Sequence, residues 1–242
     1  MKKSVLLGLA VAVMAVAETG TLFGQTEADF QCRIENGKIT IIGYTGSAKN
    51  VTIPGQIGGL PVTAIGGAEY VYEDDQYVGS FANQQLTSVA IPNGVTVIGH
   101  GAFAGNRLTG VTIPNGVTEI GSGSFYKNQL TRVTIPDGVT VIGGSAFESN
   151  QLTSVTIGNA VTEIGYMAFG ENKLTSVTIP GSVTRIIDFA FAYNPLTSVT
   201  IGADVTFGRS GFSGDLAGVY NVEQTVKSVI VRIAAITRFK GE

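Results

Sequence analysis

Hydrophobic positions recur along the chain at one constant step. Leu86, Leu108, Leu130, Leu152, Leu174 and Leu196 keep that step, as do the Ile row from Ile91 to Ile201 and the Phe row from Phe81 to Phe191. Asn106, Asn128, Asn150, Asn172 and Asn194 follow it too. A period of about 20 to 50 residues signals stacked repeats, in which no unit hides its apolar face alone and each buries it against its neighbours. In the unit that begins at Leu108, Val111 and Ile113 flank Thr112, the alternation of a short strand with one buried face. Pro114 cannot donate to a ladder and ends the pairing, and Asn115-Gly116 supplies turn residues. Val117 to Ile120 predicts a second short extended stretch, and Gly121 predicts a turn at positive φ. Ser124-Phe125 returns the chain, with Phe125 as the largest core filler of its unit. The expected fold is a β-rich solenoid of 22-residue units, with short parallel strands roughly 4.8 Å apart along the stack. The Asn row predicts a ladder of side-chain amides that satisfies backbone groups in the turns of adjacent coils.

The pattern also shows where the repeat fails. The interval from Ile53 to Ile91 is longer than one step, with the surplus divided between the stretch from Ile53 to Val62 and that from Ile65 to Phe81. The larger excursion runs over residues 69–79 and carries Tyr70, Tyr72, Glu73, Asp74, Asp75 and Tyr77. Insertions in a solenoid fall on loops and often on a working face, and the alternative for this one is a solvated loop whose carboxylates merely repel each other. At the other end Phe207 arrives one place early, and Gly208 stands where Ile is due. Beyond it, Val226, Val229, Ile230, Ile233 and Ile236 fit an amphipathic helix or a pair of strands equally well. The expected division is an irregular N-terminal portion over residues 25–80, regular units over 81–212, and a C-terminal cap or tail over 213–242. Residues 1–17 read as an export signal: Lys2 and Lys3, an apolar run from Val5 to Ala17, and a small-x-small end at Ala15-Val16-Ala17. Cleavage after Gly24 is the alternative. The run is too short to cross a bilayer, which takes about 20 residues.

Composition narrows the chemistry. Of 242 residues, 44% are hydrophobic and 14% charged, enough apolar surface to offset chain ordering and too few charges for a disordered chain. The net charge is −3, so no basic field exists to neutralise a phosphate backbone, and no nucleic acid partner is expected. One Cys and one His leave no disulfide framework, no Cys-based zinc site and little room for imidazole chemistry. His100 shares its column with Ser122, Gly144, Tyr166 and Asp188, so the fold does not require it and a surface position is expected. Cys32 reads as a small buried thiol. No catalytic residue, metal ligand or cofactor is expected, and the chain does not read as an enzyme.

The Leu-x-x-Val-x-Ile core, followed by Pro-x-x-Val-Thr-x-Ile-Gly and Ala-Phe-x-x-Asn, resembles the BspA-type leucine-rich repeat of bacterial surface proteins. The opening segment is similar to that family's N-terminal portion through Asn36-Gly37-Lys38-Ile39-Thr40-Ile41, Val51-Thr52-Ile53-Pro54 and Gly59-Leu60-Pro61-Val62. The sequence departs from the family's pattern in Asn106 and its equivalents, where Cys is common, and in Gly158 and Gly202, which stand at the Pro position. The resemblance implies a leucine-rich-repeat solenoid, secretion or surface display, and binding of macromolecules on a host or neighbouring cell. The candidate contact residues are the outward strand positions Thr109, Thr112, Arg132, Thr134, Thr153, Thr156, Thr175 and Thr178, together with the tyrosine-acid excursion. Three readings of the threonine rows stand beside each other: contact with a protein or glycan, plain strand stabilisation by cross-strand Thr pairs, and ordered-water binding. The expected function is non-catalytic recognition or adhesion, with a self-assembling envelope or matrix scaffold as the alternative.

Overall fold

The computed structural model describes residues 25–66, 72–73, 76–77, 79–202, 205–207 and 229–232. The export signal at 1–17 and most of the tail at 213–242 lie outside the described residues.

The chain winds as a β-solenoid with parallel strands in register from coil to coil. One side is a continuous ten-stranded sheet. It starts with an antiparallel hairpin, Phe30–Glu35 against Lys38–Tyr44, closed by Asn36 and Gly37 at φ 51° and 71°. Both angles are positive, as the tight primed turns that match strand twist demand. Lys38–Tyr44 then pairs in parallel with Leu60–Ile65, and the ladder continues through two-residue rungs at Val97–Ile98, Glu119–Ile120, Val141–Ile142, Glu163–Ile164 and Arg185–Ile186. It ends at Thr206–Phe207, where Phe207 faces Ile186.

The opposite side is less continuous. Asn50–Thr52 pairs with Ser88–Ala90, Arg132–Thr134 with Ser154–Thr156, and Ser176–Ile179 with Ser198–Ile201. The expected strand at Val111 to Ile113 is not formed: this coil makes no ladder pairing on that side. Gly110 stands there where other coils carry Ser or Arg, and a glycine weakens a strand by its backbone freedom. Val229–Arg232 pairs antiparallel with Ser198–Ile201, so these four tail residues are strand and not helix.

The core is a set of rows. The rings of Phe81, Phe103, Phe125, Phe147, Phe169 and Phe191 stack along the solenoid with centroids 5.2–5.4 Å apart and planes within 17°. Tyr44 and Phe30 begin this aromatic spine, with Tyr44 5.3 Å from Phe81. Parallel rows of Leu, Val and Ile surround it, the Leu row buried and Val89, Ile91, Val111, Val155 and Ile201 partly so. The Asn ladder forms as expected. Each Asn accepts a hydrogen bond from the backbone N–H of the Leu 20 residues earlier and donates to the Phe carbonyls 25 and 3 residues earlier. For Asn150 these are Leu130 N–H at 3.0 Å, Phe125 O at 2.9 Å and Phe147 O at 3.1 Å. The pattern repeats at Asn106, Asn128, Asn172 and Asn194.

Backbone angles correct one expectation and add a finding. Gly121 is not at positive φ; a Cβ there would lie 2.7 Å from the backbone of Gly99 and His100, so close approach of coils demands the glycine. Gly143 and Gly165 meet the same limit. The left-handed positions lie elsewhere, in two columns. One is Gly101, Gly123, Ser145, Met167 and Phe189; the other is Asn83, Gly105, Lys127, Ser149, Glu171 and Tyr193, all at φ between 49° and 66°. A non-glycine residue held there costs about 1 kcal/mol or more.

Both insertions lie between fixed points of the coil and carry antiparallel strand pairs. On one side Val51 faces Val89, and on the other Ile65 faces Ile98. The first interval is the longer by five residues, and that difference is taken up by Gln56–Ile57 folding back on Leu60–Pro61. Within the remaining surplus, Tyr72–Glu73 pairs antiparallel with Gln76–Tyr77. Gly79, counted with the insertion from the sequence, belongs to the coil, because a Cβ there would collide with the Gly101 backbone.

Two core substitutions test this packing. Phe147→Ala is expected to lower unfolding stability by about 3–5 kcal/mol in urea titration, and a loss under about 1 kcal/mol would contradict its place in the spine. Ser124 shares its column with Ala102, Ala146, Ala168 and Ala190 and with Ser80, whose hydroxyl donates to Ile41 O, but its own buried hydroxyl has no partner. Ser124→Ala is expected to raise stability by about 1 kcal/mol in the same titration.

Candidate recognition surfaces

The strands on the interrupted side place the threonine rows as the alternation requires. In Arg132–Thr134 the pattern is exposed, buried, exposed, and Thr134 lies opposite Thr156 while Arg132 lies opposite Ser154. Thr178 lies opposite Thr200 on the next strand pair. Thr109, Thr112, Thr153, Thr156, Thr175 and Thr178 are exposed. Thr112, with its coil unpaired, is outside any strand.

The two rows differ in what their hydroxyls do. Thr153 Oγ1 donates to Thr131 O at 3.2 Å, Thr197 Oγ1 to Thr175 O at 3.1 Å, and Thr87 Oγ1 to Asn50 Oδ1 at 2.6 Å. This row ties coil to coil. At these steps such bonds satisfy edge carbonyls without using core volume. A third threonine column, which sequence reasoning did not single out, does the same on the continuous sheet. Thr96, Thr118, Thr140, Thr162 and Thr184 each donate to the carbonyl of the equivalent residue one coil before. The Val-Thr-x-Ile-Gly motif was its signal. Arg185 Nη1 and Glu163 Oε2 pair across two rungs of that sheet at 3.1 Å.

The tyrosine-acid excursion is described only in part. Tyr72 and Glu73 form one arm of a hairpin, with Tyr72 across from Tyr77. Tyr70, Asp74 and Asp75 lie outside the described residues.

A third surface was missed from sequence. The turn edge carries the two columns of left-handed residues, and there the coils differ from one another. Tyr166 and Tyr193 are 51% and 52% exposed, and the ring of Phe189 meets Tyr166 edge-on at 5.8 Å. Nearer the N-terminus on this edge, Lys127 Nζ sits 5.0 Å from the centre of the Tyr126 ring. Glu148 is half-buried on the same edge, and burial pushes its carboxyl above the usual range, the charge of Glu171 adding to this while the Ser145 hydroxyl and Lys127 oppose it. The signal available in the sequence was variation: columns the fold needs are uniform, and these are not.

The remaining chemistry-bearing residues are structural. His100 is half-buried, a correction to the expected surface position: its Nδ1 accepts the Ser122 backbone N–H at 2.9 Å, a bond that joins two coils. Cys32 is partly buried, its thiol donates to Phe30 O, and burial pushes its pKa up to about 11 with Glu27 adding to the rise. Such a thiol is protonated at neutral pH and a poor nucleophile. Among the described residues no three His, Cys, Asp or Glu side chains converge on a common point, and no helix is long and apolar enough to cross a membrane.

Stacked coils of constant length, each built on a Leu-x-x-Val-x-Ile core, define a leucine-rich-repeat solenoid. The model of the BspA type leucine rich repeat region matches residues 77–214 in 6 copies, more than half of the chain, and the chain belongs to that family. Among solved structures it is similar to a leucine rich cell surface protein of Faecalibacterium prausnitzii A2-165, at 28% identity and a TM-score of 0.50, over 78% of this chain and 56% of that one. It is also similar to a leucine rich repeat protein of T. pallidum, at 26% identity and a TM-score of 0.54, over 74% of this chain and 83% of that one. The pneumococcal vaccine antigen PcpA shares the fold at 20% identity and a TM-score of 0.53, over 71% of this chain and 47% of that one. The chain thus spans about half the length of the F. prausnitzii and pneumococcal proteins. No curated protein matches it.

Two measurements test these assignments. Because the folded pKa of Glu148 lies above its unfolded value near 4.5, folding binds a proton in between, and stability falls as pH rises through that window. Glu148→Gln is therefore expected to be more stable than the parent at pH 7 and equal to it below pH 4.5, read from thermal melts at both pH values. Deleting residues 69–78, while keeping Gly79, is expected to leave the melting temperature unchanged within error, since the other coils close without them.

Proposed function

We propose that this chain is an exported, non-catalytic recognition or adhesion protein that works at the cell surface and binds a macromolecule on a host or neighbouring cell. The observation that carries the reading is a rigid solenoid whose interior is fully used for stacking and whose exterior is a regular set of exposed side chains. Family membership supports it, as does the surface location stated for the F. prausnitzii relative. Repeat solenoids offer extended, preformed binding surfaces, so little ordering of the protein offsets the contact energy. Lys2, Lys3 and the apolar run to Ala17 would direct export. The contact residues we assign first are the exposed strand positions Arg132, Thr134, Thr156 and Thr178, with the tyrosine-acid hairpin as an accessory. Self-assembly into a matrix is the competing outcome of the test.

The test is a binding screen of the purified chain, without residues 1–24, against extracellular-matrix proteins, cell-surface proteins and glycans. Saturable binding to at least one, with no turnover of it, is expected. No binding together with concentration-dependent growth in light scattering would replace the reading with the scaffold. Hydrolysis of a panel member would overturn it.

A further inference from the structure

We infer that the turn edge of the last coils, centred on Tyr166, Phe189 and Tyr193, is a docking site for a basic, arginine-bearing protein segment. The inference rests on the recognition reading above and names a different face and a partner chemistry for it.

Stability argues first. Phe189 and Tyr193 occupy the two left-handed columns, at φ 61° and 57°, where the early coils place Gly101, Gly105, Gly123 and Asn83. Bulky side chains in this region are uncommon because the Cβ crowds the backbone, and such outliers gather at working sites. Tyr193 gains little packing in return, being half exposed. Phe189 spends part of its ring on Tyr166, which is itself half exposed, so these two form an aromatic pair across neighbouring coils, and Tyr193 adds a half-exposed ring four residues beyond Phe189 on the same edge.

Charge names the occupant. Across the edge segments 144–149, 166–171 and 188–193 there are three acids, Glu148, Glu171 and Asp188, and no Lys or Arg. In its column Asp188 follows Tyr166 by one coil, and Tyr193 follows Glu171 by one coil, so each tyrosine has a carboxylate-bearing residue as its stacking neighbour. An aromatic face beside a carboxylate suits a guanidinium, which stacks on the ring while its N–H groups pair with the acid. Lys127 over the Tyr126 ring is the same chemistry within the chain, one coil from Glu148. Tyr and Phe on a rigid support also lose little entropy on binding.

The fold supplies its own neutral replacements. Ser122, Ser145 and Ser149 already stand in the columns of Tyr166, Phe189 and Tyr193, so Tyr166→Ser, Phe189→Ser and Tyr193→Ser keep residues the coil accepts. The experiment measures binding of nona-arginine, nona-lysine and neutral oligosaccharides to the full chain at physiological salt, alongside its melting temperature. Nona-arginine is expected to bind more tightly than nona-lysine, and the triple serine variant to lose at least tenfold in affinity while melting no lower than the parent. Glu171→Gln is expected to weaken binding and flatten its salt dependence. Glu119→Gln, an exposed carboxylate on the continuous sheet, is expected to change nothing. Absence of nona-arginine binding, equal binding by the triple variant, or loss only of oligosaccharide binding would overturn the inference. A ligand from the screen above that ignores the triple variant would sink this site alone and leave the recognition reading standing.

Discussion

Everything in this fold depends on satisfying backbone polar groups in turns that are buried by the next coil. A turn at the surface leaves that task to water, but here the turns after each Phe are covered, and an orphaned buried N–H or carbonyl costs about 1–3 kcal/mol. One side chain per coil resolves it. Asn150 reaches back to Leu130 N–H and Phe125 O and holds its own Phe147 O, bonds that work only if coils advance by a constant number of residues. The constant step is therefore a hydrogen-bonding constraint as much as a packing one. Extra chain is admitted between the pinned points, where Gln56–Ile57 pairs with Leu60–Pro61 and Tyr72–Glu73 with Gln76–Tyr77.

The same constraint divides the exterior. Threonines on both sheets turn their hydroxyls to the preceding coil, so much of the surface that looks available is engaged in holding the stack together. Positions free of that duty are of two kinds. Thr134, Thr156 and Thr178 form uniform rows, suited to a partner that is itself repetitive or tolerant. The turn edge differs from coil to coil, and specific recognition requires such differences.

The rows, the amide ladder and the two insertions were legible in the sequence because each is an identity or a surplus measured against a fixed step. Other features were not. Val111 to Ile113 alternates perfectly and yet stays unpaired, since a ladder needs its neighbours and Gly110 weakens this one. Gly121 reads as a flexible turn but is required by a coil lying against it, a tertiary fact with no local trace. His100 looked dispensable by its column, although its ring caps an amide of the next coil. The aromatic edge escaped notice for a related reason: attention to what repeats passes over Tyr166, Phe189 and Tyr193, each alone in its column.

The central claim is that side-chain amides in register hold the coils together, and residue-resolved hydrogen exchange of Asn150→Ala tests it most directly. The account predicts that Leu130, whose N–H bonds Asn150 Oδ1, loses protection together with its immediate neighbours, while Leu108 and Leu174, held by Asn128 and Asn194, keep theirs. Unchanged protection at Leu130 would contradict it, because the bond that sets the step would then be incidental.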